Sequence, residues 1–255
     1  MIICIDVGNS NIKYAVYDGG ERKISFRVST DLKRTSDEYG AQLAEMLNFN
    51  SIAAEDITGG IFSFVVPSLD YTIEHMLRVY LHIIPKQIAP GLKTGLRMRA
   101  DNAHEVGADR IVNNVAAIRK YGCGKPMIVV DFGTATTFNI LSADGEFIGG
   151  VIAPGIKGSL ESLVSGTAKL PRVVIATNTV TNMQAGIVFG FAGLVEFIVR
   201  KIKKELRASD VMTIATGGFS ETIAKETGCI DVIDKMLTLD GLKYLYDLNS
   251  SEESL

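Results

Sequence analysis

Two aspartates end strand-like runs in nearly the same local pattern, one near the N-terminus and one just past the middle of the chain. Asp6 is followed by Val-Gly-Asn-Ser, and Asp131 by Phe-Gly-Thr-Ala-Thr-Thr. A strand end fixes a carboxylate, which can then bind a cation directly or through water. The glycine lets the backbone come close, and short polar side chains with free N–H groups can bind anionic oxygens. The pattern therefore predicts two phosphate-handling turns in a duplicated fold that clamps a nucleotide between its halves.

A third carboxylate lies between the two copies, in the segment Glu105-Val-Gly-Ala-Asp109-Arg110. This segment opens a predicted helix, Glu105–Tyr121, that joins the halves. Asp109 beside Arg110 has two interpretations: an ion pair at a helix start, or a carboxylate that orients or deprotonates an alcohol during phosphoryl transfer. In the second interpretation Asp6 and Asp131 lie on the cation and phosphate side, and Asp109 faces the acceptor.

Other nucleotide-binding motifs are missing from the sequence. The nearest match to a Walker A motif, Gly150 to Lys157, has an extra residue before the lysine, and no Gly-x-Gly-x-x-Gly fingerprint occurs. These observations count against a P-loop enzyme and against NAD or FAD binding. Gly217-Gly218 lies between a predicted strand and a predicted helix, where it would either flank an adenine or ribose ring or simply form a tight turn.

The same order of elements in each half would position these residues. Three strands separated by turn residues are followed by a helix, a strand and a helix. In the first half the predicted elements are Ile2–Val7, Ile12–Tyr17, Lys23–Ser29, the helix Ser36–Leu47 with Ser36 as its N-cap, Gly60–Val66, the Ser68-capped helix Asp70–Leu81, and Ile84–Ile88. In the second half they are Met127–Asp131, Thr136–Leu141, Glu146–Ile152, the helices Gly158–Ser165 and Thr179–Leu206, Val211–Ala215, a helix after Gly218, and a closing helix Leu239–Leu248.

This order predicts an α/β fold of two similar domains, residues 1–115 and 116–255, with mixed sheets and a cleft between them. Within the long helix Thr179–Leu206, Gly186, Gly190 and Gly193 form a smooth stripe. Two interpretations of the stripe stay open, packing inside the chain and a seam between two copies of it.

Composition excludes several classes of function. The 255 residues contain 26 Lys and Arg against 29 Asp and Glu, a net charge of −3, which argues against a nucleic-acid groove. The basic run Arg200–Lys204 is interpreted as a solvated helix C-terminus. The longest apolar segment, Ala185–Val199, is short for a membrane span and contains Glu196. Three cysteines without paired spacing and the lack of a signal sequence predict a cytoplasmic protein with reduced thiols.

The two Asp-x-Gly turns resemble the phosphate-binding signature of the acetate-kinase, sugar-kinase, actin and heat-shock-chaperone superfamily, whose core is two ribonuclease-H-like domains. Within that superfamily the chain resembles type III pantothenate kinase along nearly its whole length. The matching segments are Asp6–Lys13, Ser29–Tyr39, Ser63–Pro67, Glu105–Asn113, Asp131–Thr137, Gly149–Gly155, Thr167–Pro171, Asn178-Thr179 with Met183–Gly186, and Ala215–Gly218.

The resemblance implies ATP-dependent phosphorylation of the primary hydroxyl of pantothenate to 4′-phosphopantothenate, the first step of coenzyme A biosynthesis. It implies ATP with Mg²⁺ or another divalent cation, K⁺ or NH₄⁺ as a monovalent cation, and a homodimer with active sites near its interface. The residues that it assigns to ATP are Asp6, Val7, Gly8, Asn9, Ser10, Asn11, Ile12, Lys13 and Thr134. Those that it assigns to pantothenate are Gly107, Ala108, Asp109 as general base, Arg110 and Thr179, and Asp131 is implied to hold the monovalent cation.

The chain departs from the family pattern at a few positions. Ala100 and Ala103 stand where Tyr and Pro are usual, Asn139 where Asp is common, and Ala176-Thr177 where Gly-Lys is frequent. These changes concern substrate affinity or identity more than phosphoryl transfer, because all three carboxylates are intact.

Two alternatives to an active kinase follow from the same family comparison. One is a silent paralogue that acts as a regulatory protein, since the family includes transcriptional accessory factors. Ala100 and Ala103 favour that alternative, whereas retention of Asp6, Asp109 and Asp131 favours the enzyme. The other is an ATPase of the same superfamily without a small acceptor, which would carry large inserted subdomains that this chain lacks.

Overall fold

The structure is a computed structural model that describes residues 1–99, 105–163 and 178–250. Its strands are β1 (Ile2–Val7), β2 (Asn11–Asp18), β3 (Glu21–Ser29), β4 (Gly59–Phe64), β5 (Lys86–Gln87), β6 (Arg97–Met98), β7 (Met127–Phe132), β8 (Ala135–Leu141), β9 (Glu146–Pro154), β10 (Met212–Gly217) and β11 (Val232–Ile233). Its α-helices are α1 (Ser36–Phe49), α2 (Asp70–Tyr80), α3 (Ala108–Tyr121), α4 (Ile156–Leu163), α5 (Thr179–Leu206), α6 (Ser220–Ala224) and α7 (Leu237–Ser250).

The strands form two sheets with the same internal order. The first runs β3-β2-β1-β4-β5, and the second β11-β10-β7-β8-β9-β6, which contains the same order from β9 to β11 with β6 added beside β9. In each sheet three antiparallel strands continue into parallel ones across the central strand, β1 or β7. The predicted α/β fold, a mixed sheet present in two copies, is confirmed.

Hydrophobic patterning explains which strand lies where. Almost every residue of β1 is buried, as expected of a central strand covered on both faces, whereas the edge strand β3 alternates between exposed and half-buried residues. In the first sheet, Ile5 and Phe62 pack with Leu43 of α1 and Ile73 of α2. In the second sheet, strand residues including Val130, Phe138 and Ala215 pack with Phe191 and Val195 of α5. Each sheet therefore has its own apolar core.

Several predicted boundaries needed correction. The N-cap of α1 is Thr35 rather than Ser36, because the Thr35 hydroxyl accepts from the Glu38 N–H while the Glu38 carboxylate accepts from the Thr35 N–H. The predicted Ser68 cap of α2 is absent, since a 3₁₀ turn at Pro67–Leu69 leads directly into that helix. The joining helix begins at Ala108, three residues later than predicted, and the two-residue strands β6 and β11 were not predicted.

The chain divides into two compact units. The first contains Met1–Gly95, His104–Arg119 and Thr238–Leu255, and the second contains Leu96–Ala103 and Lys120–Leu237. Most of the closing helix therefore belongs with the first unit, which the linear division into residues 1–115 and 116–255 did not include. In that unit the Thr238 hydroxyl donates to Asn113 Oδ1 at 2.7 Å. A Cβ added to Gly241 would lie 2.5 Å from the carbonyl oxygen of Val112, so α7 packs closely on α3.

Some predictions lie outside the described residues. These are the substitutions at Ala100, Ala103 and Ala176-Thr177, the family segment Thr167–Pro171, and the last two residues predicted for the helix ending at Ser165. Among the helices that the structure does describe, none is long and apolar enough to cross a membrane.

Candidate active site

The first Asp-x-Gly turn places a carboxylate between a cation and a hydroxyl. Asp6 lies directly opposite Lys13 of β2 and Ser63 of β4, and residues that face each other across neighbouring strands project from the same side of a sheet. Lys13 Nζ donates to Asp6 Oδ2 at 3.1 Å, and Ser63 Oγ donates to Asp6 Oδ1 at 3.1 Å. Only 6% of Asp6 is exposed, so these partners offset the cost of burying its charge.

The turn after Asp6 is held in shape by backbone and side-chain hydrogen bonds. The Gly8 N–H donates to the Asn11 carbonyl at 3.1 Å, and the Thr30 hydroxyl donates to the Gly8 carbonyl at 2.6 Å. The Thr30 N–H donates to the Ser10 carbonyl at 3.2 Å. The turn therefore has a fixed shape that leaves Asn9 exposed.

Not all residues assigned to ATP can use their side chains. Val7 and Ile12 are fully buried in the ladder between β1 and β2, so only their backbone could contact a ligand. Asn9 and Asn11 are exposed, and Gly8, Ser10 and Lys13 are partly exposed. The residues available to bind phosphate are therefore these polar positions and the turn backbone.

Asp109 lies in the first turn of α3, in the same unit as Asp6. Burial raises the pKa of Asp109 above its ordinary value, and the negative charge of Asp6 raises it further. The adjacent Arg110 opposes this shift, but burial and Asp6 outweigh it. The carboxyl group of Asp109 is therefore more easily protonated than that of an exposed aspartate.

The residues around Asp109 fix its position. The Arg110 and Ile111 N–H groups donate to the Gly107 carbonyl at 3.0 and 3.2 Å, which starts the helix. A Cβ added to Gly107 would lie only 2.6 Å from Asp109 Oδ1, so glycine is required there if the carboxylate is to keep its place. Burial lowers the pKa of Arg110, although the Asp109 carboxylate partly offsets this effect.

The second Asp-x-Gly turn has threonines at the two strand positions that flank its aspartate. Asp131 faces Thr137 of β8 and Thr216 of β10, the positions that correspond to Lys13 and Ser63 in the first sheet. The Asn139 amide Nδ2 lies 3.5 Å from Thr137 Oγ1. A carboxylate, hydroxyls and an amide group therefore occupy neighbouring positions in this sheet.

Two close backbone approaches shape the second turn. Gly217 has φ of +90°, and a Cβ on it would lie 2.5 Å from Asp131 Oδ1. A Cβ on Gly155 would clash with the carbonyl oxygen of Thr134 and lie 3.0 Å from that of Gly133. The turn therefore depends on the absence of side chains at both positions. Thr134 itself is exposed at the tip of the turn.

The oxygen donors near the two turns suit hard cations. Carboxylate and hydroxyl oxygens are hard ligands of the kind that alkali and alkaline-earth cations prefer. Within the described part of the chain, no three or more His, Cys, Asp or Glu side chains are grouped so as to hold a metal ion by themselves. A cation at either turn would therefore take ligands beyond such a cluster, for example hydroxyls, carbonyls, water or phosphate oxygens.

Two residues that organise the first turn lie in segments that match the family, but the sequence assigned no role to them. The contacts of Ser63 and Thr30 depend on a parallel strand pairing and on the path of a turn. Thr179 is exposed at the start of α5, in the second unit, where Asn178 caps the helix by accepting from the Thr181 N–H. The first unit thus brings together Asp6, Lys13 and Gly107 to Arg110, while the second contains Asp131, Thr134 and Thr179.

Comparison with known families decides the relationship. A sequence model described as type III pantothenate kinase matches residues 2–201, which is most of the chain. The chain belongs to this family. Family membership supports ATP-dependent phosphorylation by a kinase.

Solved structures show the same fold. A putative Baf family transcriptional activator from Campylobacter jejuni has a TM-score of 0.59 and 19% identity, with 98% of this chain and 99% of that chain covered. The activator of 2-hydroxyisocaproyl-CoA dehydratase from Clostridium difficile, solved with ADPNP, has a TM-score of 0.61 and 12% identity, with 99% and 97% covered. An inorganic polyphosphate/ATP-glucomannokinase from Arthrobacter has a TM-score of 0.51 and 16% identity, with 98% of each chain covered. The predicted actin-like fold is therefore confirmed.

Proposed function

We propose that this protein transfers the γ-phosphoryl group of ATP to the primary hydroxyl of pantothenate, giving 4′-phosphopantothenate. The observation that carries the proposal is the carboxylate pair in the first unit. Asp6 is hydrogen-bonded to Lys13 at the first Asp-x-Gly turn. The negative charge of Asp6 raises the pKa of Asp109, which lies half-buried at the start of α3. A basic carboxylate near a phosphate turn is the arrangement that kinases need for an alcohol acceptor.

Asp109 is the general base in this proposal. One Oδ atom accepts the proton of the acceptor hydroxyl as that oxygen bonds to the γ-phosphorus, and the bond from the γ-phosphorus to ADP breaks. Burial, together with the charge of Asp6, makes the carboxylate a stronger base than an exposed one, while Gly107 leaves room for it. Gly107, Ala108 and Arg110 line the pantothenate site, Thr179 contacts pantothenate, and the N-terminal end of α3 favours negative charge at this position.

The segment Asp6–Lys13 binds the ATP phosphates, and Thr134 contributes to ATP binding. Lys13 balances phosphate charge, and Gly8 to Asn11 offer backbone N–H groups and short polar side chains. The divalent cation that accompanies ATP supplies charge neutralisation to the transferring phosphoryl group. Asp6 would hold that cation directly or through water, with Lys13 released to the phosphate oxygens.

Asp131 holds K⁺ or NH₄⁺. The support for this role is the oxygen-rich surroundings of Asp131, where Thr137 and Thr216 replace the lysine and serine of the first turn. Carboxylate and hydroxyl oxygens are hard ligands, which are compatible with an alkali cation.

The protein forms a homodimer through the glycine stripe of α5. No described residue outside the helix's own nearby backbone lies within 4 Å of a Cβ placed on Gly186, Gly190 or Gly193. Packing inside the described chain therefore leaves the stripe open, and Phe197 on the same helix is 50% exposed. Sedimentation of wild type and Gly190→Leu tests this assignment. A monomeric wild type, or a variant that dimerises as wild type does, would contradict it.

The decisive measurement is ATP consumption with and without pantothenate, in potassium and in sodium buffer, with mass spectrometry of the product. Turnover that depends on pantothenate and rises in potassium supports the proposal. Absence of turnover in both salts at high substrate concentration would overturn it. The predicted cytoplasmic location remains a prediction.

One second candidate is supported by specific observations. Ala100 and Ala103 replace residues usual in the family's pantothenate segment, and the fold is shared with a putative Baf family transcriptional activator. If the protein binds ATP analogues but never phosphorylates pantothenate, a regulatory role becomes the better explanation.

A further inference from the structure

The two oxygens of the Asp6 carboxylate have different kinds of partner. Oδ1 accepts from the Ser63 hydroxyl at 3.1 Å, and Oδ2 accepts from Lys13 Nζ at 3.1 Å. Both partners lie directly opposite Asp6 in the sheet, one on each neighbouring strand. The carboxylate is therefore held from both sides, and each side has its own chemistry.

Only one of these partners is fixed in place. Ser63 is 1% exposed within β4, and its short side chain cannot reach far from the strand. The Lys13 side chain is 34% exposed, and its ammonium group lies at the end of a flexible four-carbon chain. This group can therefore leave Asp6 and pair with another anion. Ser63 is therefore the more tightly constrained of the two partners.

We propose that Ser63 is a positioning residue that holds Asp6 in the orientation needed to bind the magnesium–ATP complex. The proposal rests on the proposed use of the Asp6 turn for ATP phosphates. By occupying Oδ1, Ser63 keeps Oδ2 directed to the side where Lys13 lies and where a cation with phosphate would approach. Without the Ser63 hydroxyl, the Asp6 carboxylate can turn both of its oxygens toward Lys13. The carboxylate and the ammonium group would then pair with each other instead of binding the magnesium–ATP complex.

The serine also conflicts with the local sequence preference, which supports a specific role. Its neighbours in β4 are the aromatic residues Phe62 and Phe64, and serine is less suited to a buried strand than a β-branched or aromatic residue. A buried hydroxyl is retained at a cost unless it has a partner. Its partner here is the charged Asp6, and hydrogen bonds to charged groups are stronger than neutral ones.

The test compares Ser63→Ala with Ser63→Thr, which keeps the hydroxyl. Calorimetry measures binding of a non-hydrolysable ATP analogue with Mg²⁺, in the absence of pantothenate. We expect Ser63→Ala to weaken binding by roughly ten- to hundredfold and Ser63→Thr to recover most of it. Thr213→Val is the matched control: it removes a buried strand hydroxyl that has no hydrogen-bond partner among the described residues, and we expect wild-type binding.

A second measurement separates positioning from a purely structural role. In the Asp6→Ala background, Ser63→Ala should have no further effect on analogue binding, because residues that act through one another are not additive. Thermal unfolding of every variant checks that each one folds. If Ser63→Ala lowers the melting temperature but binds the magnesium–analogue complex as wild type does, the residue is merely structural and the inference is overturned.

The acceptor chemistry does not enter these measurements, so the two proposals can fail separately. A wild type that binds the analogue and does not phosphorylate pantothenate would overturn the proposed acceptor but leave Ser63 as a positioning residue. A full effect of Ser63→Ala in the Asp6→Ala background would overturn the Ser63 inference and leave the proposed reaction intact.

Discussion

The two strand ends that carry Asp6 and Asp131 share a topology and differ in chemistry. In each, an aspartate closes a central strand, flanked by one antiparallel and one parallel neighbour in the same register. Around Asp6 the flanking positions hold Lys13 and Ser63; around Asp131 they hold Thr137 and Thr216. The flanking positions of the first turn therefore carry a lysine and a serine, and those of the second carry two threonines.

The two turns also differ in the residue that follows the third strand of each half, β3 or β9, and that packs against the turn. In the first sheet this residue is Thr30, whose hydroxyl donates to the Gly8 carbonyl. In the second sheet it is Gly155, whose backbone lies so close to Thr134 that a side chain would clash. Duplication thus fixes where a ligand-binding turn occurs, while single side chains decide which ligand it suits.

The largest expected effect concerns Asp109, the proposed general base in the first unit. Asp109→Asn should reduce kcat by about 10²–10⁴-fold, because the acceptor hydroxyl loses its general base. The measurement is pantothenate-dependent ATP consumption, with analogue binding as a check that the fold and the phosphate turn survive. Asp18→Asn, a change at an exposed aspartate at the end of β2, should leave turnover unchanged. An Asp109→Asn variant with near wild-type kcat would show that another group is the base.

The pH dependence should follow from the raised pKa of Asp109. The base must be deprotonated to act, so kcat/KM should fall about tenfold per pH unit below the pKa of this group. Burial and the nearby Asp6 place that pKa above the ordinary value of 3.8, so the acid limb should begin at higher pH than for an exposed aspartate. Activity that stays level down to pH 4 in a protein still folded by circular dichroism would contradict this assignment.

The sequence revealed the fold and the turns because their signals are local. Strand-like runs, turn residues and the repeated Asp-x-Gly pattern lie within a few positions of each other, and α5 has the bounds predicted for it, Thr179–Leu206. The two-residue strands β5, β6 and β11 have too few residues to show a period of two. The strand predicted at Ile84–Ile88 is therefore longer than β5, which is Lys86–Gln87, and β6 and β11 were not predicted.

Contacts between distant segments were beyond prediction from local patterns. Ser63 meets Asp6 only because β1 and β4 pair in one register, and a shift by one residue would turn Ser63 to the opposite face. The packing of α7 in the first unit likewise involves a close contact between Gly241 and Val112. The spacing of apolar residues along the sequence does not indicate such a contact. The raised pKa of Asp109 needs burial and a neighbour, neither of which is visible in the order of residues.

A pair of adjacent glycines offers a sharper comparison within the second turn. Gly217→Ala would force a side chain onto a residue with φ of +90° and into contact with Asp131 Oδ1. We expect a loss of about 1–3 kcal/mol in the free energy of unfolding and a higher potassium concentration for half-maximal activation. The control is Gly218→Ala, since nothing lies within 4 Å of its added Cβ. If the two substitutions change potassium activation equally, the close approach of Gly217 to Asp131 has no effect on the cation.

The smallest expected effect tests the hydroxyl that shapes the first turn. Thr30→Val keeps the volume and the strand preference but removes the hydrogen bond to the Gly8 carbonyl. We expect a loss of about 0.5–1.5 kcal/mol in the free energy of unfolding, measured with denaturant, and a several-fold rise in the KM for ATP. The potassium response should not change, because Thr30 belongs to the Asp6 turn. If Thr30→Val alters the potassium response and leaves the KM for ATP unchanged, the assignment of ATP to the Asp6 turn and of potassium to the Asp131 turn is wrong.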